Sequence, residues 1–524
     1  MISLSLLYRD PASRPARERE EPPPFFVDLG LDQIVRRIVA GKEEYRLPPL
    51  FHRPADDAGT IAYRQEIMRD LEDPRLLDEL NTFAGRFHDM RADLAQAEKL
   101  RETCQRREWF LSAVERYCQA VRGLAEGLRR HACRSAGLSA LSAYLDAYAA
   151  SGPFLELAAH ARMARAALRD IAYEIRINGD TFTVSAYRDA EDYSASVAAT
   201  FEKFKQWAGK DYRARFLDEP GMNHVEARIL EFVVRLFPDA FARLDAFCDS
   251  HRDYLDETLE IVDREAQFYV AYLDHMKRFR AKGLGFCYPR IDERKAHVFA
   301  RDTCDLALAG NLLDGEAAVV RNDFSLEGKE RIFIVSGPNQ GGKTTFARAF
   351  GQLHYLAKLG LPVPGASARL FLYDALYTHF ERAEDLRSLH GKLEDDLVRI
   401  HRILRAATPR SLVVMNEIFT STTLQDALFL ATKILEDIVR LDLLCVCVTF
   451  MHELARVSGT TVSMVSTVVP GDPSKRTYKV VRRAADGRSY AMSIAEKYGL
   501  DADALRGRLD ALSDRGRPGP GSAR

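Results

Sequence analysis

From Asp28 to Lys282 the apolar residues recur mainly at steps of three and four, so this stretch reads as a series of long amphipathic helices. Between Phe241 and Phe279 the positions Leu244, Cys248, His251, Leu255, Thr258, Val262, Glu265, Tyr269, Tyr272 and Met276 continue one stripe. That stripe predicts one helix of about eleven turns, long enough to act as a lever. Its polar members His251, Thr258 and Glu265 could tune register or pair with partner residues, but are expected to mark where the stripe meets solvent. The pattern is interrupted from Tyr173 to Tyr187, where Asn178-Gly179 sits between alternating segments. This predicts a β-hairpin with Ile175 opposite Phe182 and Tyr173 opposite Val184, capping a helical arm.

Farther along, the period changes. Ile332 to Val335 is a short β-branched and aromatic run, and Phe346, Ala349, Phe350, Leu353 and Ala357 then recur at helical spacing until Gly360. Leu393, Leu397, Ile400 and Leu404 mark another helix, broken at Pro409, and Leu412 to Met415 is a second buried strand. The fold class expected is therefore α + α/β, a mainly helical region followed by an α/β domain.

Between the first strand and its helix lies Gly337-Pro338-Asn339-Gln340-Gly341-Gly342-Lys343-Thr344, which fits G-x-x-x-x-G-K-[ST]. Backbone N–H groups converge on phosphate oxygens where glycines let the chain curl without a Cβ in the way. Gly337, Gly341 and Gly342 supply that freedom. Lys343 brings a positive charge to the β and γ phosphates, and the Thr344 hydroxyl is placed to hold Mg2+. The following helix adds the partial positive charge of its N-terminus. The loop implies a nucleoside triphosphate ligand.

The strand Leu412 to Met415 runs into Asn416-Glu417. A carboxylate at the carboxyl end of a parallel strand lies beside the phosphates and can polarise an attacking water, so Glu417 is the catalytic candidate. Asn416 stands where an acid ordinarily steadies Mg2+ through water. Its amide oxygen can accept from a metal-bound water but adds no negative charge, which points to weaker metal affinity and slow turnover.

These residues resemble the MutS family of DNA repair and recombination ATPases, whose phosphate loop reads G-P-N-x-G-G-K-[ST]-T. Pro338-Asn339 and the second threonine, Thr345, carry that likeness. Further matches follow in order: Arg321-Asn322-Asp323, Ala383-Glu384-Asp385-Leu386, Asn416 to Thr423 where the family has D-E-I-G-R-G-T-S, Asp426, Val448 to Leu454, Tyr478-Lys479-Val480, Ser489-Tyr490, Ile494-Ala495 and Tyr498-Gly499-Leu500. The resemblance implies an ABC-type P-loop ATPase similar to the MutS C-terminal domain, using ATP and Mg2+. It also implies a homodimer with ATP near the subunit boundary, and a clamp on DNA.

Three departures bear on activity. Gly391 stands where the family's signature loop has a serine that reaches the partner's ATP, with Ser388 and Lys392 as possible substitutes. Phe450 stands where a histidine is usual, with His452 displaced. No F-x-E wedge sequence occurs in the opening segment, so the mismatch-reading domain of the family is expected to be missing and the chain resembles a short form.

The chain, at 524 residues and 47% apolar, is too long for one core and rich enough in apolar residues for two or three. The expected division is a disordered leader at 1–24, a helical core, lever and clamp-like region at 25–295 with the hairpin near 173–187, the ATPase domain at 296–505 with a C-terminal dimerisation helix, and a flexible tail at 506–524. A net charge of -1 gives no global pull toward nucleic acid, so contact with DNA would need a local patch. Arg106, Arg107, Arg116, Arg122, Arg129, Arg130, Arg134, Lys203, Lys205 and Lys210 are candidates for phosphates, set against a reading as a solvated helix face with interspersed acids. The eight cysteines include no C-x-x-C pair, which suits a reducing cytoplasm, and no run approaches a membrane span. The function expected is ATP-gated binding of duplex, mismatched or branched DNA in mismatch repair or recombination. The alternative is a nucleotide-gated dimeric scaffold with little hydrolysis and no DNA clamp.

Overall fold

The structure, a computed structural model, describes residues 4–179, 181–187, 222–313, 315, 317–381, 391–470, 472–484, 502, 505 and 506. Within these the chain forms two compact units, Asp70–Ala266 with Met1–Ser5, and Gln267–Arg524 with Leu6–Arg69. The helical region expected at 25–295 is thus divided between the two, and the division falls inside the helix Glu257–Arg280.

In the second unit a six-stranded sheet is built from β1 (Ile332–Ser336), β2 (Leu376–Phe380), β3 (Leu412–Asn416), β4 (Leu444–Val448), β5 (Thr461–Val469) and β6 (Asp472–Arg482). Their order is β2-β3-β4-β1-β5-β6, parallel throughout except for the antiparallel edge pair β5-β6. Parallel strands are buried on both faces, and β1 and β4 are buried along their whole length. Side chains alternate across the sheet. Ile332 and Ile334 join Val413, Met415, Cys445 and Cys447 under the helix Leu424–Arg440, whose Ala427, Ala431, Leu435 and Ile438 face them. Phe333 points the other way, into an edge-to-face cluster with Phe324, Phe346 and Phe350. Phe346 and Phe350 belong to α1 (Lys343–Lys358), the helix that follows the phosphate loop.

A second sheet of four strands, Arg290–Asp292, Ser367–Phe371, His297–Thr303 and Asn322–Glu327, lies in the same unit. The N-terminal residues also pack here. Gln352 on α1 donates to Leu29 O at 2.7 Å, Tyr355 donates to Phe51 O at 2.7 Å, and a Cβ at Gly351 would come within 2.8 Å of the Leu29 side chain. The leader expected to be disordered at 1–24 is corrected in part: Leu6 and Leu7 are fully buried, and Tyr269 donates to Leu6 O at 2.5 Å. Their apolar side chains are held by tertiary packing that no local pattern announces.

The first unit is helical. Pro74–Lys99 and Thr103–Arg130 run antiparallel, as Glu79 beside Gly127, Arg86 bonded to Gln119 O and Arg116 paired with Asp93 show. The hairpin forms over Tyr173–Asn178 and Thr181–Ala186, but its register differs from the expected one by two residues. Ile177 pairs with Phe182, Ile175 with Val184 and Tyr173 with Ala186, because Asn178 pairs with Thr181 instead of occupying the turn.

The expected lever helix is also corrected. It is two helices, Pro238–Ser250 and Glu257–Arg280. The second starts at Asp256, whose carboxylate accepts from Leu259 N at 3.0 Å and from the Tyr144 phenol at 2.8 and 2.9 Å. The bond from Leu259 in the helix itself and those from Tyr144 on a distant helix offset the loss of helical bonds at the break. Thr258 and Glu265, expected in solvent, are buried, and Glu265 accepts from Ser5 Oγ at 2.8 Å.

Candidate active site

The phosphate loop joins β1 to α1, and its shape rests on residues that cannot carry an ordinary side chain. Gly337 has φ 123° and Gly342 φ 90°, in the region that glycine alone adopts freely. Gly341 is constrained by space. A Cβ there would fall 2.4 Å from Ser466 Oγ and 2.9 Å from Pro338 O. Ser466, on β5, is the floor of the loop, also 2.5 Å from a Cβ built on Gly337, and its buried hydroxyl has no hydrogen-bond partner among the described residues. Nothing in the sequence singled it out, since its role arises from the pairing of β5 with β1.

Lys343 folds back on the loop. Its Nζ donates to Gly337 O and Pro338 O, both at 3.1 Å, and lies 4.5 Å from the centre of the Phe450 ring. The side chain is 4% exposed and stands 4.0 Å from Glu417 Oε1. Burial pushes the Lys343 ammonium below its ordinary pKa, Glu417 pulls it back up, and the nearby charge of Arg476 lowers it again. Phe450, displacing the expected histidine, therefore covers the lysine with a ring face.

Thr344 and Asn416 meet directly, Oγ1 donating to Oδ1 at 2.9 Å. This brings together the two oxygens the sequence assigned to Mg2+, Thr344 directly and Asn416 through water. Both are neutral oxygens, suited to a hard cation or its waters. Thr345 follows in the first turn of α1, partly buried. Glu417, one residue past β3, adopts φ 55°, a left-handed conformation that costs about 1–2 kcal/mol for a residue with a Cβ. Its N–H donates to Val448 O at 2.9 Å, which fixes that turn. Its carboxylate remains 24% exposed beside Lys343. Gln340 is also left-handed at φ 58°, and Asn339 offers its carbonyl to Arg476 Nε at 3.1 Å.

Other expected residues take structural posts. Asn322 clasps the edge strand, donating to Tyr478 O at 3.2 Å and accepting from Val480 N at 2.8 Å. Asp426 accepts from Thr423 Oγ1 at 2.8 Å, in a reciprocal cap of Leu424–Arg440. Gly391 is the residue before helix Lys392–Ala406, and among the described residues no atom lies within 4 Å of a Cβ built on it. Lys392 is ion-paired with Glu381, which also accepts from Thr420 Oγ1 at 3.1 Å. The Glu381 carboxyl is held below the usual range first by Lys392. His452 lies 3.7 Å from Glu453. Ser388 and the segment Ala383 to Leu386 fall outside the described residues, as do Ser489 to Leu500.

Several arginines considered for DNA are engaged by acids. Arg107 pairs with Asp245, Arg116 with Asp93 at 2.6 Å, Arg129 with Asp146 at 3.4 Å and Arg130 with Glu79 at 3.5 Å. Arg122 lies over the Phe154 ring. Lys203, Lys205 and Lys210 are outside the described residues. All eight cysteines are free thiols. Among the described residues no helix is long and apolar enough to cross a membrane.

Residues 333–510 match the family model of MutS domain V, an ATPase domain. The chain is 29% identical over 278 residues to the DNA mismatch repair protein MutS of Desulfovibrio desulfuricans, covering 51% of this chain and 29% of that protein. It is 32% identical over 216 residues to the protein of the same name from Orientia tsutsugamushi, covering 38% and 24% respectively. Endonuclease MutS2 of Gemmatimonas aurantiaca is 31% identical over 193 residues, covering 36% of this chain and 23% of its own length. The aligned part thus spans between 23% and 29% of the length of these curated relatives.

Proposed function

This chain belongs to the MutS family through its domain V, and from that premise we propose that it is a DNA-binding protein in which ATP binding and hydrolysis gate a dimeric clamp. The observation that supports this reading is the meeting of Lys343, Thr344, Asn416 and Glu417 at one end of the sheet. Loop N–H groups and Lys343 bind the phosphates. Thr344, and Asn416 through water, would hold Mg2+, which when bound offsets phosphate charge. Glu417 accepts a proton from water as the water oxygen attacks the γ phosphorus. The bond to the β–γ bridging oxygen breaks, leaving ADP and phosphate.

The DNA would be duplex, mismatched or branched, the process mismatch repair or recombination, the assembly a homodimer and the compartment the cytoplasm. The ATPase domain proposed at 296–505 would dimerise through its C-terminal helix, and ATP would favour one clamp state that hydrolysis releases. Phosphate release from wild type, Glu417→Gln and Lys343→Ala tests the enzyme. Loss of general-base help should slow Glu417→Gln by a hundredfold or more, while Lys343→Ala should lose nucleotide binding. Equal rates in wild type and Glu417→Gln would refute the hydrolytic role.

A second reading is a nucleotide-gated scaffold with little hydrolysis and no DNA clamp. It is favoured by Asn416, which brings no charge to the metal, and by the arginines already paired with acids. Titrating the protein with duplex, single-mismatch and four-way-junction DNA at several salt concentrations separates the two. Phosphate contacts would appear as a steep salt dependence, and failure on all three DNAs would leave the scaffold.

A further inference from the structure

Three consecutive carbonyls of the phosphate loop each hold a cation. Lys343 Nζ takes Gly337 O and Pro338 O at 3.1 Å, and Arg476 Nε takes Asn339 O at the same distance. Arg476 arrives from β6, where it pairs with Val468 of β5. Its Nε thus sits on the carbonyl next to the two that hold Lys343. Two cations beside one curled loop repel each other across a partly buried site. A polyanion seated in the loop would relieve the repulsion. The same site carries a neutral amide, Asn416, at the end of β3 where the resemblance leads one to expect an acid.

Resting on the nucleotide-site reading above, we propose that Arg476 is a phosphate-binding residue of this site, a cation supplied from the edge strand that meets the terminal phosphate of a nucleoside triphosphate and carries charge neutralisation that elsewhere falls to the metal. The bond to Asn339 O fixes the guanidinium at the rim of the loop. A planar guanidinium held there suits an oxyanion better than a mobile ammonium does. The site thereby gains a fixed positive charge while lacking one negative charge at the metal. Part of the affinity for the triphosphate is then independent of divalent metal, and it favours the triphosphate over the diphosphate.

Calorimetric titration of ATP and ADP, in Mg2+ and in EDTA, on wild type, Arg476→Gln, Arg476→Lys and Lys343→Ala tests this. Loss of a charge-assisted contact should weaken ATP binding by Arg476→Gln in EDTA roughly ten- to a hundredfold. The ADP affinity should change less than about threefold, and Arg476→Lys should lie between wild type and Arg476→Gln. Equal weakening of ATP and ADP would make Arg476 a strut for Asn339 and overturn the proposal. So would an Arg476→Gln variant indistinguishable from wild type while Lys343→Ala no longer binds. If wild type gives no heat with ATP, or Lys343→Ala binds as well as wild type, the nucleotide-site reading itself fails.

Discussion

The Thr344 hydroxyl donates to the Asn416 amide oxygen at 2.9 Å, so the two groups that would face Mg2+ are already in contact across the gap between α1 and β3. A carboxylate at 416 could accept the same hydrogen bond and would add the charge that an amide lacks. Asn416→Asp should therefore lower the Mg2+ concentration needed for half-maximal ATPase by about tenfold, the effect of one favourable charge in a partly buried site. A Mg2+ titration of phosphate release reads this directly. An unchanged midpoint would mean that residue 416 does not act on the metal.

Gly341 and Ser466 are coupled by space. Gly341→Ala places a methyl 2.4 Å from Ser466 Oγ, so the loop must open and nucleotide affinity should fall at least tenfold. Ser466→Ala removes the clashing oxygen and, because that oxygen has no partner among the described residues, should itself be nearly neutral. The double variant should recover part of the binding lost in Gly341→Ala, the remaining deficit coming from Pro338 O at 2.9 Å. Strict additivity in calorimetric affinities would argue against Ser466 as the floor of the loop.

Acid should destabilise the second unit through two buried histidines. Burial depresses His275 to about 3 and His354 to about 4, while His354 Nδ1 lies 2.8 Å from Phe350 O. Both are neutral when folded, and the unfolded chain binds more protons below its ordinary value of 6.5. Their contribution is thus fully present above that pH and is lost as pH falls toward 4 and 3. Between pH 6.5 and 5 each should cost about 2 kcal/mol. Urea unfolding at the two pH values checks the slope, and His275→Phe should flatten it. A variant with the wild-type acid dependence would show that His275 is not the group responsible.

Glu381 joins the start of helix Lys392–Ala406 to the turn after Glu417 by holding both Lys392 and Thr420. Glu381→Ala should release that turn and reduce kcat several-fold, with the KM for ATP little changed because neither contact lies on the phosphate loop. Parallel loss in kcat and rise in KM would place its influence on nucleotide binding instead.

What the chain determined by itself was local. Glycine spacing, the strand before the loop, the helix after it and the residue pair ending β3 are requirements of backbone conformation and burial that act over a few residues, and each was legible. Lys343, Thr344, Asn416 and Glu417 came together because consecutive parallel strands carry their C-terminal ends to one edge of a sheet. Residues joined from remote parts of the chain were not legible. Ser466 and Arg476 reach the loop only through the β5-β6 pair, and Leu6 and Leu7 find cover only in a folded unit. The long apolar stripe from Phe241 misled for the same reason. Helical spacing records which faces are apolar, whereas the phenol of Tyr144 bonding Asp256 decides where one helix stops and the next begins. Hairpin register likewise depended on which residues closed the turn, a choice made by cross-strand pairing and not by the dipeptide alone.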